Sequence, residues 1–259
     1  MKTLSILYQD KHVVAINKPS GLLVHRSMVD RHETENAMRT LRDQLGQWVW
    51  PLHRLDKPTS GVIVFALDKE TARLMTRSFS SGQVSKYYLA IVRGFTKDRE
   101  CIDYPLKNLW DKMTDQKAKR DKPERPAVTQ YRRLATVELP HSVGRYCTAR
   151  YSLVYVAPLT GRNRQIRRHM KHIFHPVIGD TTYGDGKQND FFRKNFNCHR
   201  LLLHAKGIEF IHPYSGQQIQ IQAPLDTTFG SLLEALKWDK LEFSCGSTES
   251  YSSIDLAYR

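Results

Sequence analysis

The feature that most constrains the fold is an unbroken apolar run at 61–67, which directly follows a turn-forming segment at 53–60. The run is short and rich in β-branched and aromatic residues, so it predicts a buried strand. The segment before it contains Asp, Pro, Thr and Ser, which favour turns. The sequence therefore predicts that the carboxylate of Asp56 is held in a turn beside a buried strand.

Alternation and periodicity elsewhere predict further strands and helices. A helix at 68–81 has Asp68 as its cap and Gly82 as its stop, and a helix at 35–46 ends at Gly46. Because strands and helices are interspersed irregularly, we expect an α+β fold with a mixed, largely antiparallel sheet and flanking helices. The other predicted strands lie at 4–8, 12–16, 86–93, 128–137, 150–156, 201–211 and 217–222, and the other helices at 163–174 and 228–238.

Neither a repeat nor a clear linker divides the chain, so we expect one domain at 1–238, followed by a serine-rich, flexible tail at 239–259. Apolar runs fall well short of the roughly 20 residues that span a bilayer, and the N-terminus does not read as a signal peptide. The four cysteines lie far apart, and His-Glu-x-x-His and glycine-rich phosphate motifs are missing. We therefore expect a cytoplasmic protein that neither associates with a membrane nor binds a metal ion.

The chain is strongly basic, with 40 Lys and Arg against 26 Asp and Glu and a formal net charge of +14. Three explanations fit this excess: binding to nucleic acid, binding to an anionic membrane surface, or solubility alone. It is concentrated at 107–133 and at 162–175, and the second segment has Ile166, Met170 and Ile173 at helical spacing. We expect a docked helix whose other face either contacts phosphate or is simply solvated. That basic face holds Arg164, Arg168, Lys171 and His175.

Five sequence blocks occur in a fixed order along the chain. Together they resemble the pseudouridine synthases of the ribosomal large-subunit synthase A family, over about residues 4–225. Arg-Leu-Asp-x-x-Thr-Ser-Gly is the most specific block, and one departure is Arg164, which replaces the family's usual histidine. The blocks are Asn-Lys-Pro-Ser-Gly at 17–21, His-Arg-Leu-Asp-Lys-Pro-Thr-Ser-Gly at 53–61, Lys-Tyr-Tyr-Leu-Ala-Ile-Val-Arg-Gly at 86–94, Leu-Thr-Gly-Arg-Asn-Arg-Gln-Ile-Arg-Arg-His at 159–169, and His-Pro-Val-Ile-Gly-Asp at 175–180 with Tyr-Gly-Asp at 183–185.

The resemblance implies the pseudouridine synthase fold with a central RNA-binding catalytic cleft. It implies an isomerase that converts a uridine within RNA to pseudouridine, as a monomer and without cofactor or metal. The likeness is greatest to members without an N-terminal S4-type RNA-binding domain that act on tRNA, which implies the uridine at position 65 in the T stem. The alternatives are a ribosomal or anticodon-stem uridine, a non-catalytic RNA-binding protein of the same fold, or a basic globular protein with no nucleic-acid partner.

The resemblance also implies catalytic roles for Asp56, Tyr88 and Arg167. Asp56 is the expected nucleophile or base, and a nearby Arg167 would keep it ionised in a partly desolvated pocket. Ile166 and Tyr88 would press against the two faces of the uracil, with the Tyr88 hydroxyl able to donate a hydrogen bond. Taken singly, Asp56 could be a turn residue, Arg167 a phosphate ligand, and Tyr88 and Ile166 core residues.

RNA contacts are expected around this pocket. A uridine in a stem must be flipped out of the helix, and Arg54 would either enter the vacated stack or form a structural salt bridge. Phosphate contacts are expected from the basic segment, and a polar stretch at 111–126 could fold onto RNA as a mobile arm. The proposed phosphate contacts are Arg162, Arg164, Arg168 and Lys171, and the arm residues are Lys112, Lys117, Lys119 and Arg120.

Overall fold

A computed structural model describes residues 3–25, 35–107 and 123–241. The arm residues of the basic stretch and the tail from 242 onwards lie outside these ranges. Within the ranges, strands and helices alternate irregularly. The strands are β1 (Ser5–Gln9), β2 (Val13–Lys18), β3 (Trp50–Pro51), β4 (Ser60–Ala66), β5 (Ser85–Arg93), β6 (Arg99–Asp103), β7 (Val128–Leu139), β8 (Ala149–Pro158), β9 (Leu203–Ile211) and β10 (Gln218–Gln222), and the helices are α1 (Ala37–Leu45), α2 (Lys69–Ser80), α3 (Gln165–His172), α4 (Gly186–Phe196) and α5 (Thr227–Ala235).

The described strands form one sheet with the order β1-β2-β4-β9-β5-β8-β7-β6, to which β3 adds beside β4 and β10 beside β9. Its pairs are antiparallel except for β4 with β9, which run parallel. The predicted α+β class with a mixed, largely antiparallel sheet is therefore confirmed.

Strand β4 lies at the centre of the core, and all of its residues are buried. Ile63 and Phe65 face the layer formed by α1 and α3, whereas Val62 and Val64 face α2. Further along the sheet, α4 and α5 cover the face of β5 and β8 that lies opposite α3. The apolar run at 61–67 was thus correctly predicted as a buried strand, and helices flank both faces of the sheet.

Local signals set several element ends. The Asp68 carboxylate accepts a hydrogen bond from the Thr71 amide at 2.7 Å and so caps α2, as predicted. Helix α1 ends at Gly46, whose φ of 67° is readily adopted by glycine. Helix α3 is shorter than the predicted 163–174, because Arg164 has a left-handed backbone with φ of 54° and cannot be part of the helix. His175 likewise lies beyond the helix end.

Sequence patterns missed β3, β6 and α4. Strand β3 has only two residues, and β6 buries only Ile102, so neither carries a clear alternation. Helix α4 buries the adjacent Phe191 and Phe192, which do not form the spaced stripe that marks an amphipathic helix. Its N-terminus does carry a local signal, because aspartate is a favoured N-cap residue and the Asp185 carboxylate accepts a hydrogen bond from the Lys187 amide at 3.0 Å.

Gly61 allows the parallel contact between β4 and β9. Its φ is 110°, and a Cβ atom there would lie 2.2 Å from the carbonyl oxygen of Ala205 on β9. A residue with a side chain would therefore push the two strands apart. The close approach fixes the N-terminal end of β4, where the turn that contains Asp56 ends. In the described part of the chain, no helix is long and apolar enough to cross a membrane.

Candidate active site

A cleft of about 600 Å³ opens at the N-terminal ends of β4, β5 and α3. Its walls come from the turn before β4, the start of β5, the loop after β8 and the first turn of α3. Blocks far apart in the sequence therefore meet here. The predicted site residues that line the cleft are Arg54, Asp56, Tyr88, Arg162, Arg164, Ile166 and Arg167.

The turn that carries Asp56 is held from behind by Lys18. The Lys18 ammonium is completely buried and donates to the carbonyl oxygens of Pro19 at 2.9 Å, Leu22 at 2.7 Å and Lys57 at 3.1 Å. Burial, reinforced by the charge of Arg200, lowers the pKa of Lys18 to about 7, while Asp56 opposes the shift. Lys18 thus links the block at 17–21 to the Asp56 turn, a role that the sequence reasoning did not assign.

Arg167 connects Asp56 to a second, deeper carboxylate. Its Nη1 donates to Asp56 Oδ2 at 2.9 Å, and its Nε and Nη2 donate to the two oxygens of Asp180 at 2.6 and 2.8 Å. Only 5% of the Arg167 side chain and none of the Asp180 side chain is exposed, whereas 24% of Asp56 is. Arg167 is therefore anchored by Asp180 and presents its remaining edge to a carboxylate that solvent can reach.

Hydrogen bonds keep both Arg167 and Asp180 charged although both are buried. Burial opposes the charge of Arg167, but the hydrogen bonds that Arg167 donates to Asp180 and Asp56 outweigh it and raise the pKa of Arg167 above its ordinary value. Burial likewise disfavours the Asp180 carboxylate, yet the Arg167 hydrogen bond and the backbone amides of Tyr183 and Thr182 lower its pKa. Asp180 lies in the block at 175–180 but was not predicted as a site residue.

Tyr88 and Ile166 form apolar walls of the cleft. Both are buried and belong to the same core cluster between the sheet and α3, with 8% and 6% exposed. Burial, and then the charge of Asp56, raises the pKa of Tyr88 well above its usual range. Its hydroxyl is therefore protonated and can donate a hydrogen bond.

Gln165 holds the loop that leads into α3 at the edge of the cleft. Its side-chain oxygen accepts from the Arg162 amide at 2.9 Å and from the Thr160 hydroxyl at 2.7 Å, and its nitrogen donates to β7. The loop before α3 is thereby held in place, and Arg164 projects from it as an exposed cation that lines the cleft.

The cleft is strongly basic. Asp56 is its one carboxylate among the described lining residues, against six cationic side chains. Arg54 is exposed and forms no ion pair with a described residue, so the structural salt bridge considered for it is not observed. Arg162 donates a hydrogen bond from its Nε to the carbonyl oxygen of Pro126 at 2.9 Å. The six cations are Arg54, Lys86, Arg125, Arg162, Arg164 and Arg167, of which Lys86 and Arg125 were not predicted.

Two predicted phosphate contacts lie outside the cleft lining. Arg168 donates from Nη1 to the carbonyl of Lys107 at 2.9 Å, and Lys171 is exposed on the following turn of α3. They continue the basic surface away from Asp56 along the helix. Among the described residues, no group of three or more His, Cys, Asp or Glu is arranged to hold a metal ion.

Comparison with known sequences identifies the family of the chain. The pattern of the RNA pseudouridylate synthase family matches residues 12–172, which is more than half of the chain. The chain therefore belongs to this family and is a pseudouridine synthase, an isomerase. The predicted family is confirmed.

Individual relatives are similar over nearly the full chain. The tRNA pseudouridine synthase C of Vibrio cholerae is 52% identical over 92% of this chain and 97% of its own. That of Pasteurella multocida is 53% identical over 92% and 98%. Among solved structures, human RNA pseudouridylate synthase domain containing 4 has a TM-score of 0.67 and 27% identity over 90% of this chain and 93% of its own. Human RNA pseudouridylate synthase domain containing 1 has a TM-score of 0.66 and 25% identity over 91% and 95%.

Proposed function

We propose that the protein converts a uridine of tRNA, at position 65 in the T stem, to pseudouridine, with Asp56 as the catalytic group. The observation that carries this proposal is a carboxylate within reach of solvent, Asp56, which is paired at 2.9 Å with Arg167 in a cleft whose other described Lys, Arg, Asp and Glu lining residues are all cationic. The name of the relatives, tRNA pseudouridine synthase C, supports tRNA as the substrate. Position 65 is the target that the family resemblance implies.

The reaction exchanges one bond of the uracil for another. The bond between the ribose C1′ and uracil N1 breaks, the ring turns, and C1′ bonds to C5. N1 gains a proton and C5 loses one, so atoms and electrons balance without a cofactor. Asp56 acts as nucleophile or base in this exchange, and Arg167 orients its carboxylate through the hydrogen bond at 2.9 Å.

The base must leave the RNA helix to reach Asp56. Flipping costs a few kcal/mol, which contacts elsewhere on the RNA must offset. The cations of the cleft supply such contacts with phosphate oxygens, and the exposed Arg54, which forms no ion pair with a described residue, is suited to enter the space that the flipped base leaves. Within the pocket, Ile166 and Tyr88 are suited to hold the uracil between apolar walls.

The test is a nucleotide-resolution map of pseudouridine in an unmodified tRNA transcript after incubation with the protein. We expect one new pseudouridine, at position 65, and no product in a matched transcript with cytidine at that position. Fragments of ribosomal RNA and an anticodon stem-loop serve as competing substrates. Faster modification of either one would contradict the tRNA T-stem target, and the competing substrate would take its place.

A further inference from the structure

A second groove lies at the other end of strands β5 and β8. It has a volume of about 710 Å³, and its lining includes Arg93 at the end of β5 and Arg150 at the start of β8. Tyr88 of the cleft precedes Arg93 by five positions on the same strand, which corresponds to about 17 Å at 3.4 Å per residue. The groove is therefore separate from the cleft, yet within reach of the same RNA molecule.

Exposed aromatic side chains distinguish this groove. Nine large apolar or aromatic side chains are exposed among the described residues, and three of them line it: Phe95, Tyr146 and Phe174, at 41%, 60% and 79% exposure. Phe174 also has a left-handed backbone with φ of 64°, which is unfavourable for a residue with a side chain. The left-handed backbone belongs to the C-terminal cap of α3, because the Phe174 amide donates to the Lys171 carbonyl at 3.0 Å and the His175 amide donates to the Met170 carbonyl at 2.8 Å. Glycine is the usual residue at such a position, so the cap does not require an exposed ring, whereas stacking on a base gives that ring a role.

The groove also carries positive charge. Its described lining holds four Lys or Arg and one carboxylate, Asp185, which pairs with Arg93 at 2.7 Å. Arg145 lies over the Tyr146 ring at 5.1 Å, and Lys187 is exposed at the start of α4. Cations interleaved with exposed rings are the arrangement that binds unpaired nucleotides, since phosphates and bases are contacted together.

Helix α3 joins the two sites. Its N-terminal residues line the cleft, and Phe174 and His175 just beyond its C-terminus line the groove. Between them, Arg168 and the exposed Lys171 lie on the solvent side of the helix. The positive surface therefore continues from one site to the other.

We propose that this groove binds unpaired nucleotides of the same RNA whose target uridine occupies the cleft, with the Phe174 ring stacked on a base. This inference rests on the proposed function, because it takes the substrate RNA as the occupant. It extends that function by assigning a second binding site about 17 Å from the catalytic one, by the strand spacing given above.

The test compares two RNAs and three variants. The RNAs are a full tRNA transcript and a short stem-loop that contains the target helix closed by a minimal loop and lacks the other unpaired segments of the tRNA. Phe174→Gly removes the ring and suits the left-handed backbone, so we expect an unchanged or higher melting temperature. We expect its Kd for tRNA to rise about fivefold or more, with a much smaller change for the stem-loop.

The second variant combines Arg145→Ala with Lys187→Ala. If both residues contact phosphates of unpaired RNA, the slope of log K against log salt for tRNA becomes shallower by about 1.4. Lys194→Ala is the matched control, since Lys194 is an exposed lysine of the same helix α4 that does not line the groove. We expect the control to bind both RNAs like the wild type.

Two results would overturn the inference. One is that both groove variants bind tRNA with the affinity of the wild type. This result would overturn the inference even if the variants bound an acidic protein more weakly than the wild type does. The other is an equal loss of affinity for tRNA and stem-loop. Pseudouridine formation by the wild type is measured in parallel, and its absence from both RNAs would count against the proposed function, whereas the affinity differences test the groove on their own.

Discussion

Replacing Asp180 by Asn tests how Arg167 is held beside Asp56. The variant keeps one acceptor oxygen but turns an amide NH₂ toward a guanidinium N–H, so one of the two hydrogen bonds at 2.6 and 2.8 Å is lost. A charged hydrogen bond contributes about 1.5–3 kcal/mol, and removing one partner of a buried ion pair costs about 3–5 kcal/mol. We expect a loss of about 3 kcal/mol in the free energy of unfolding at pH 7, which lowers the Tm by roughly 6–12 °C.

The same variant makes a pH-dependent prediction. Burial of Asp180 disfavours its charge, but the Arg167 hydrogen bond lowers its pKa in the folded protein below the ordinary value of about 3.9. A depressed carboxyl pKa contributes stability that is present above the unfolded value and is lost as the pH falls through the folded one. The difference in stability between wild type and Asp180→Asn is therefore full at pH 7 and shrinks below about pH 4.

The assay is urea denaturation at pH 7, 4 and 3, together with pseudouridine formation at pH 7. Because Asp180 does not line the cleft, RNA affinity should change less than about twofold while turnover falls up to about 100-fold as Arg167 shifts. The matched control is Asp190→Asn, an exposed aspartate paired with Arg193, which should move the Tm by less than about 2 °C. Wild-type stability at pH 7, or full turnover, in Asp180→Asn would refute the reasoning.

Four further variants test other parts of the structure. Lys18→Met removes the donor to three carbonyls; we expect a loss of about 3 kcal/mol by urea denaturation and slower turnover as the Asp56 turn shifts. Gly61→Ala places a Cβ 2.2 Å from the Ala205 oxygen, so we expect it to lower the free energy of unfolding by about 3 kcal/mol. Gly230→Ala is the control, because Gly230 has open space around it in α5. We expect this change to raise the free energy of unfolding by about 0.5–1 kcal/mol. Arg164→Gly suits the left-handed backbone, so its Tm should hold, while the salt slope of RNA binding should become shallower by about 0.7–0.9.

Features encoded locally were predictable from the sequence. The buried strand β4, the Asp68 cap and the glycine after α1 depend on neighbouring residues, and the structure confirms them. The residues of the cleft lie in separate blocks, and only the family resemblance predicted that they come together. Helix α3 begins later than the predicted residue 163 because the backbone of Arg164 is set by the loop that Gln165 holds against β7.

The roles of Lys18 and Asp180 could not be predicted, because they depend on contacts between separate segments. Lys18 reaches the carbonyl of Lys57 across 39 positions, and Asp180 pairs with Arg167 across 13, whereas the contact of Arg167 with Asp56 across 111 positions was predicted through the family resemblance. A lysine or aspartate in a sequence gives no local sign that it will be buried. Asp180 and Lys18 therefore became recognisable as supports of Asp56 only once the fold had brought them beside it.

The most direct test of the central claim is tritium release from tRNA labelled at uracil C5, measured for the wild type and for Asp56→Asn. The variant is nearly isosteric, and Arg167 keeps both hydrogen bonds to Asp180, so the fold and the RNA affinity should stay close to those of the wild type. We expect tritium release by the wild type and none by the variant when both are bound to the same amount of RNA. Release by Asp56→Asn at the wild-type rate would contradict it.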